Sequence, residues 1–189
     1  MNSPIYKLKV TLRYIRPPIW RRVEVPGDFS LFNLHRTLQA AMGWTDSHLH
    51  QFMHRGVYYG VPDREFDMPV ISERRTHLAD LLEHPKDHLI YEYDFGDSWE
   101  HDVVLEGIIE ATPRARYPRV TGGKRACPPE DVGGFPGYAE FLVVMADATH
   151  EEHDSTLEWV GGQFDPEHFD VIAANDRVPK RRASRKRDA

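Results

Sequence analysis

Tyr91-Glu92-Tyr93-Asp94-Phe95-Gly96-Asp97-Ser98-Trp99-Glu100-His101 is the stretch that decides the fold. Leu89, Tyr91, Tyr93 and Phe95 alternate with Ile90, Glu92 and Asp94 as far as a Gly-Asp pair. Beyond it, Trp99, His101, Val103 and Leu105 alternate with Glu100, Asp102, Val104 and Glu106. Period-two patterning on both sides of such a pair reads as two long paired strands joined by a tight turn. Two aspartates, a serine, a tryptophan and a histidine crowd that turn, so it also marks a candidate functional cluster. Gly96-Asp97 reads as the positive-φ part of the turn, with Asp94 and Ser98 bracing it through side-chain to backbone bonds. That structural role takes precedence over catalysis.

The flanking chain supplies more of the same sheet. Tyr6, Leu8, Val10, Leu12 and Tyr14 alternate with Lys7, Lys9, Thr11 and Arg13, which gives a half-buried strand over 5–15. Pro17-Pro18 breaks it, and Ile19, Arg21, Val23 and Val25 begin a second strand, expected to pair antiparallel with the first. Ser30 as N-cap, apolar residues at helical spacing and Gly43 as left-handed terminator predict a helix over 31–42. Residues 48–54 read as extended, which would put His48, His50, Phe52 and His54 on one face, with a hairpin to Val57-Tyr58-Tyr59.

Less regular segments follow. Residues 61–75 read as a surface loop, and Thr76 as the cap of a short helix over 77–83. Residues 111–137, rich in Pro and Gly, read as one long functional loop. A helix is expected over 138–148, with Phe141, Leu142 and Met145 inward. Another is expected to start at Asp165-Pro166-Glu167 and to turn Phe169, Ile172 and Ala173 inward. Adjacent strand pairs mixed with helices define an α+β single domain, a mostly antiparallel sheet with helices packed on one face.

The 189 residues suit one domain, 40% apolar and 29% charged. Cys127 is the only cysteine, so no intrachain disulfide forms and a reducing cytoplasm is expected. No secretory leader or run of about 18 apolar residues is visible. Residues 177–189 hold seven basic side chains against Asp188 alone, a net +6, which leaves -12 on residues 1–176. The division is therefore an acidic domain over 1–176 and a basic tail over 177–189, expected to be disordered.

The assembled motifs resemble the plasmid pRiA4b ORF-3-like family. The matching residues are Ile19-Trp20-Arg21-Arg22, Ala41-Met42-Gly43-Trp44, His48-Leu49-His50, Tyr93 through His101, Arg125 through Gly134, Gly137-Tyr138, and Trp159 through Pro166. The resemblance spans about residues 5–175. It implies a compact α+β domain of a bacterial and archaeal family often found near mobile elements, one member of which carries a resolvase label. A tyrosine recombinase needs a His-x-x-Arg, and this chain has none. Ser3 lacks the arginine-rich context of a serine recombinase.

The site expected to gather is His48, His50, Asp94, Asp97, Trp99, His101, Cys127, Glu130, Asp131 and Asp165. Within it, His48, His50, Asp97 and His101 are the candidate metal ligands, a donor set suited to a divalent transition metal. His150, Glu151 and His153 are further candidates. Cys127 lacks a following helix N-terminus and reads as a buried thiol rather than a nucleophile. Gly122-Gly123-Lys124-Arg125 misses the phosphate-loop spacing, and Asp94-Phe95-Gly96 stands without the other kinase motifs.

The leading functional reading is a non-enzymatic binding or accessory module. Lys180, Arg181, Arg182, Arg185, Lys186 and Arg187 would give its tail salt-sensitive contacts to nucleic acid. The tryptophans could also wall a groove for a protein or peptide. The alternative is a metal-dependent hydrolase or nuclease built on His48/His50 and Asp94/Asp97/His101.

Overall fold

The computed structural model describes residues 3–62 and 69–179. One open eight-stranded sheet dominates it, in the order β5-β4-β3-β6-β7-β1-β2-β8. Every pairing is antiparallel except β4 with β5. The predicted α+β class holds.

The expected central hairpin is β6 (His88–Tyr93) and β7 (Trp99–Ile109). The positive φ falls on Asp94 (+58°) and Ser98 (+53°), and Gly96 has none. The turn is thus built by the side chain of Asp94, whose Oδ1 accepts from the amides of Gly96 (2.9 Å) and Asp97 (3.4 Å). Aspartate tolerates this backbone because its short side chain bonds locally.

β1 (Ile5–Leu12) lies between β7 and β2 (Trp20–Pro26). It stops short of residue 15, since Tyr14 takes φ +64° and is exposed. Leu8 faces Leu105 and Val23, and Val10 faces Val103 and Arg21. On the other edge β3 (His50–His54) joins β6 to β4 (Val57–Gly60), and β5 (Val70–Ser72) runs parallel to β4 inside the segment expected to be loop. One row of side chains therefore crosses the sheet as Phe52, Tyr91, His101 and Leu12, all buried.

α1 (Leu31–Met42) forms where predicted, with Ser30 accepting from the Asn33 amide and Gly43 at φ +98°. It buries Leu31, Leu34, Leu38 and Ala41 against the sheet. Each such leucine contributes about 1.5–3 kcal/mol. Its last carbonyls accept from cations, Ala41 from Arg21 Nε at 3.0 Å and Ala40 from Arg177 Nε at 3.1 Å. A single turn of 3-10 helix, Leu78–Asp80, replaces the helix expected over 77–83, and His77 rather than Thr76 is its cap.

The Pro- and Gly-rich segment 111–137 is not one loop. Arg119–Lys124 forms the edge strand β8 on β2. A Cβ at Gly123 would lie 2.6 Å from the Phe169 ring, so the glycine that hides the strand in the sequence makes room for that ring. Asn175 closes the free edge, donating to Val120 O (2.8 Å) and accepting from Val120 N (2.9 Å).

α2 spans Gly134–Ala146, earlier than expected, burying Tyr138, Phe141 and Val144. The acidic stretch contains α3 (His153–Trp159), which has no buried residue and so no apolar period to read. The helix expected at Asp165 starts later, as α4 (Val171–Arg177), because Asp170 caps it through Ile172 N and Ala173 N. Ile172 points outward and Ala174 is the buried contact. Arg177 closes α4, and Val178 packs in the core. The rest of the predicted tail, from Lys180, lies outside the described residues. No helix among the described residues is long and apolar enough to cross a membrane.

Candidate functional site

The sequence-predicted residues separate into a surface face, a sealed interior and an outlier. The face forms where the β6–β7 turn meets the loop before β3 and the loop before α2. His48 lies in the former loop rather than on β3, which starts at His50. The two histidines therefore do not share a strand face. His48 Nε2 sits 3.1 Å from Asp131 Oδ1 and 3.7 Å from Asp94 Oδ2. These are ion-pair distances, yet Nε2 is shielded from solvent and makes no hydrogen bond among the described residues. With Oδ1 of Asp94 taken by the turn amides, Oδ2 is left for His48.

Asp97 is a positioning residue. Its Oδ2 accepts from Gly133 N at 3.2 Å and so ties the turn to the loop that carries Asp131. A Cβ at Gly134, φ +69°, would lie 2.7 Å from Asp97 O, so the two loops meet backbone to backbone there. Glu130 braces the other side. It accepts from Tyr93 OH at 2.6 Å, from Thr45 N at 3.1 Å and from the Thr45 hydroxyl. Burial works against its ionised form, but the bonds from Thr45 and Tyr93 outweigh it and hold the carboxyl below the usual range.

Beneath the face Trp44, Tyr93 and Trp99 pack into the core, whereas Trp159 is exposed. Trp44 stacks on Tyr93 with centroids 5.0 Å apart and packs 6.2 Å from Trp99, while its Nε1 donates to Pro128 O. His101 has no exposure; Nδ1 lies 3.2 Å from Tyr91 O, and Nε2 has no partner. Burial lowers its pKa to about 4, so it is neutral at pH 7. Burial likewise pushes the Cys127 thiol up to about 12, although the residue as a whole is half-buried.

The predicted metal quartet does not converge. Among the described residues, no three of His48, His50, Asp97 and His101 bring ligand atoms together. Two other triads do, His48/Asp94/Asp131 and His35/Asp46/His50. Asp165 stands apart, its Oδ1 accepting from Glu167 N, beside the Arg125–Glu167 ion pair at 2.7 Å. His150 and His153 bond locally, to Glu152 N and Asp154.

The second triad went unread in the sequence because His35 looks like one more residue of a helix face. Its Nε2 lies 2.8 Å from Asp46 Oδ1, and its Nδ1 lies 2.9 Å from Tyr91 OH, which also accepts from Gln39 Nε2. A Tyr91 oxygen that accepts from Gln39 gives its proton to Nδ1, which places the ring proton of neutral His35 on Nε2. Burial, reinforced by His50, lowers the His35 pKa to about 4. The His50 ring stacks on His35, and its Nε2 lies 2.8 Å from Glu73 Oε2.

Stacked rings argue against a shared ion. Imidazole lone pairs lie in the ring plane, and these planes are parallel with centroids 3.4 Å apart. A metal midway would sit roughly 1.7 Å out of both planes at a bond of about 2.1 Å, close to 50° off axis. The triad is a buried polar network.

Taken together, an open, mostly antiparallel sheet with helices and a surface face of one histidine and several carboxylates define an α+β domain with an elaborated hairpin turn. The chain belongs to the plasmid pRiA4b ORF-3-like protein family, whose profile matches residues 4–173. It is 43% identical over 176 residues to the uncharacterized protein y4hQ of Sinorhizobium fredii (strain NBRC 101917 / NGR234), a match covering 93% of this chain and 88% of that one. Its fold is similar to the crystal structure of MM3350, a protein of unknown function from Methanosarcina mazei Go1. The TM-score is 0.83 at 39% identity, over 91% of this chain and 98% of the other. Neither name assigns an activity.

Proposed function

We propose that the protein is a non-enzymatic binding module that takes a cationic ligand on the acidic face around the β6–β7 turn. One observation carries this reading: the His101 imidazole is sealed in the core, whereas the Asp131 carboxylate opens to solvent beside His48. Burial holds His101 neutral and pushes the thiol of the half-buried Cys127 up to about 12, whereas Asp131 has 70% of its side chain exposed. Phe95, Phe135 and Leu49 stand exposed on the segments that build this face. A body charge of -12 adds a long-range field that favours cations.

The test is calorimetric titration of the full chain with divalent cations and with lysine- and arginine-rich peptides, at low and high salt. Asp131→Asn is expected to weaken cation binding at least several-fold. A chain that takes up no cation of either kind ends the reading.

Tail contacts to nucleic acid through Lys180–Arg187 belong to the same proposal. They predict DNA binding that falls steeply with salt and disappears on removing 180–189. Metal-dependent hydrolysis or nuclease action is the second reading, supported by the exposure of Asp131, since a histidine and two carboxylates leave coordination positions open. Its test is phosphodiester and ester cleavage in the presence of added Mn2+ or Zn2+.

A further inference from the structure

We infer that His48, Asp94 and Asp131 form a site for one divalent first-row transition-metal ion. The inference rests on the reading of this face as the ligand face and names its ligand. Bonds of about 2.0–2.2 Å place neighbouring ligand atoms roughly 3.0 Å apart in octahedral and roughly 3.4 Å apart in tetrahedral coordination. His48 Nε2 lies 3.1 Å from Asp131 Oδ1, between those values, and 3.7 Å from Asp94 Oδ2, a little above both. All three ligand atoms fall within 4.8 Å of one another.

A plain ion pair does not account for His48. A protonated ring would aim its N–H at one carboxylate oxygen, and Nε2 instead faces two without bonding either, shielded from water. The side chain keeps 30% of its surface exposed, yet its Nε2 is shielded, and a shielded nitrogen without a hydrogen bond costs about 1–3 kcal/mol, which an ion between the three groups would remove. One nitrogen and two carboxylate oxygens are borderline-hard donors, suited to Zn2+, Mn2+ or Co2+ rather than to Cu+ or to a thiolate-bound ion.

The surroundings fix the ligands. Both aspartates take left-handed backbone, φ +58° at Asp94 and +60° at Asp131, which aspartate tolerates better than most residues. Gly96 N and Asp97 N hold the other oxygen of Asp94, and the Asp97–Gly133 bond holds the Asp131 loop against it. The Tyr93 ring meets His48 edge to face at 5.9 Å and limits its rotation. Such an outer shell is what separates a metal site from a chance meeting of charges.

The experiment uses the full chain without an affinity tag, stripped with chelator and titrated with Co2+ and Zn2+ at pH 7.5. Elemental mass spectrometry measures stoichiometry, and the visible spectrum of bound Co2+ reports the coordination. One equivalent is expected, bound at least tenfold more weakly in His48→Gln and in Asp131→Asn. In His84→Ala, a change at an exposed histidine remote from the triad, affinity should be unchanged. Asp131 is mostly exposed, so its variant tests the site even if His48→Gln folds poorly. Absence of stoichiometric metal, or affinity indifferent to Asp131→Asn, overturns the inference. If basic peptides still bind in that case, the module reading stands and only the metal falls.

Discussion

The imidazole rings of His35 and His50 lie face to face, with centroids 3.4 Å apart and planes 2° from parallel. The stack bridges α1 and β3, and each ring is tied to its own carboxylate, His35 to Asp46 and His50 to Glu73. Glu73 is almost wholly buried, and its second oxygen has no partner. In His50→Ala the buried Glu73 carboxyl loses its one side-chain partner among the described residues, and stability should fall by about 3–5 kcal/mol. Adding Glu73→Gln to that variant should recover part of the loss. Urea denaturation of the two single variants and the double measures the coupling.

Acid should weaken the fold through His101. Its folded pKa is lowered to about 4 by burial, against 6.5 for an unconstrained histidine. Between those values the unfolded chain takes up a proton that the folded chain refuses. This stability is complete above about pH 6.5 and lost as pH falls toward 4, by at most about 3 kcal/mol. Urea midpoints at pH 7.5, 5.5 and 4.5 should decline, and more gently in His101→Gln.

Gly134→Ala tests the contact between the two site loops. The new methyl would meet Asp97 O at 2.7 Å, on a backbone at φ +69° that alanine resists. A destabilisation of about 1–3 kcal/mol is expected. Because the push falls on the Asp97–Gly133 hinge, cation affinity at Asp131 should drop with it. The paired readout is a thermal melt and a metal titration.

Asn175→Ala opens the edge of the sheet. Both polar groups of Val120 lose their side-chain partner, which should cost about 1–3 kcal/mol. It also leaves an unpaired strand edge, so the variant should aggregate sooner on mild heating than the parent. Light scattering alongside circular dichroism separates the two effects.

Much of this architecture is legible from single stretches of chain. Ser30, the apolar spacing over Leu31–Met42 and Gly43 define α1 to the residue, because a helix is capped and amphipathic within its own length. The period-two patterns of β1, β2, β6 and β7 are local for the same reason. Where local signals are weak the sequence misleads. β8 contains Gly122-Gly123 and reads as loop, and α3 has no buried side to betray it.

The grouping of site residues belongs wholly to the tertiary structure. His48 and His50 are two residues apart, yet one faces Asp94 and Asp131 and the other stacks on His35, because β3 starts only at His50. Asp94 and Asp131 are 37 positions apart in the sequence and meet through a bond from Gly133 N to Asp97, a contact without local signature. The sequence by itself determined which side chains could carry chemistry and which segments are regular. Strand register, sheet order and the meeting of two turns decided which of those side chains share a site, since long-range distances are set by packing and not by spacing along the chain.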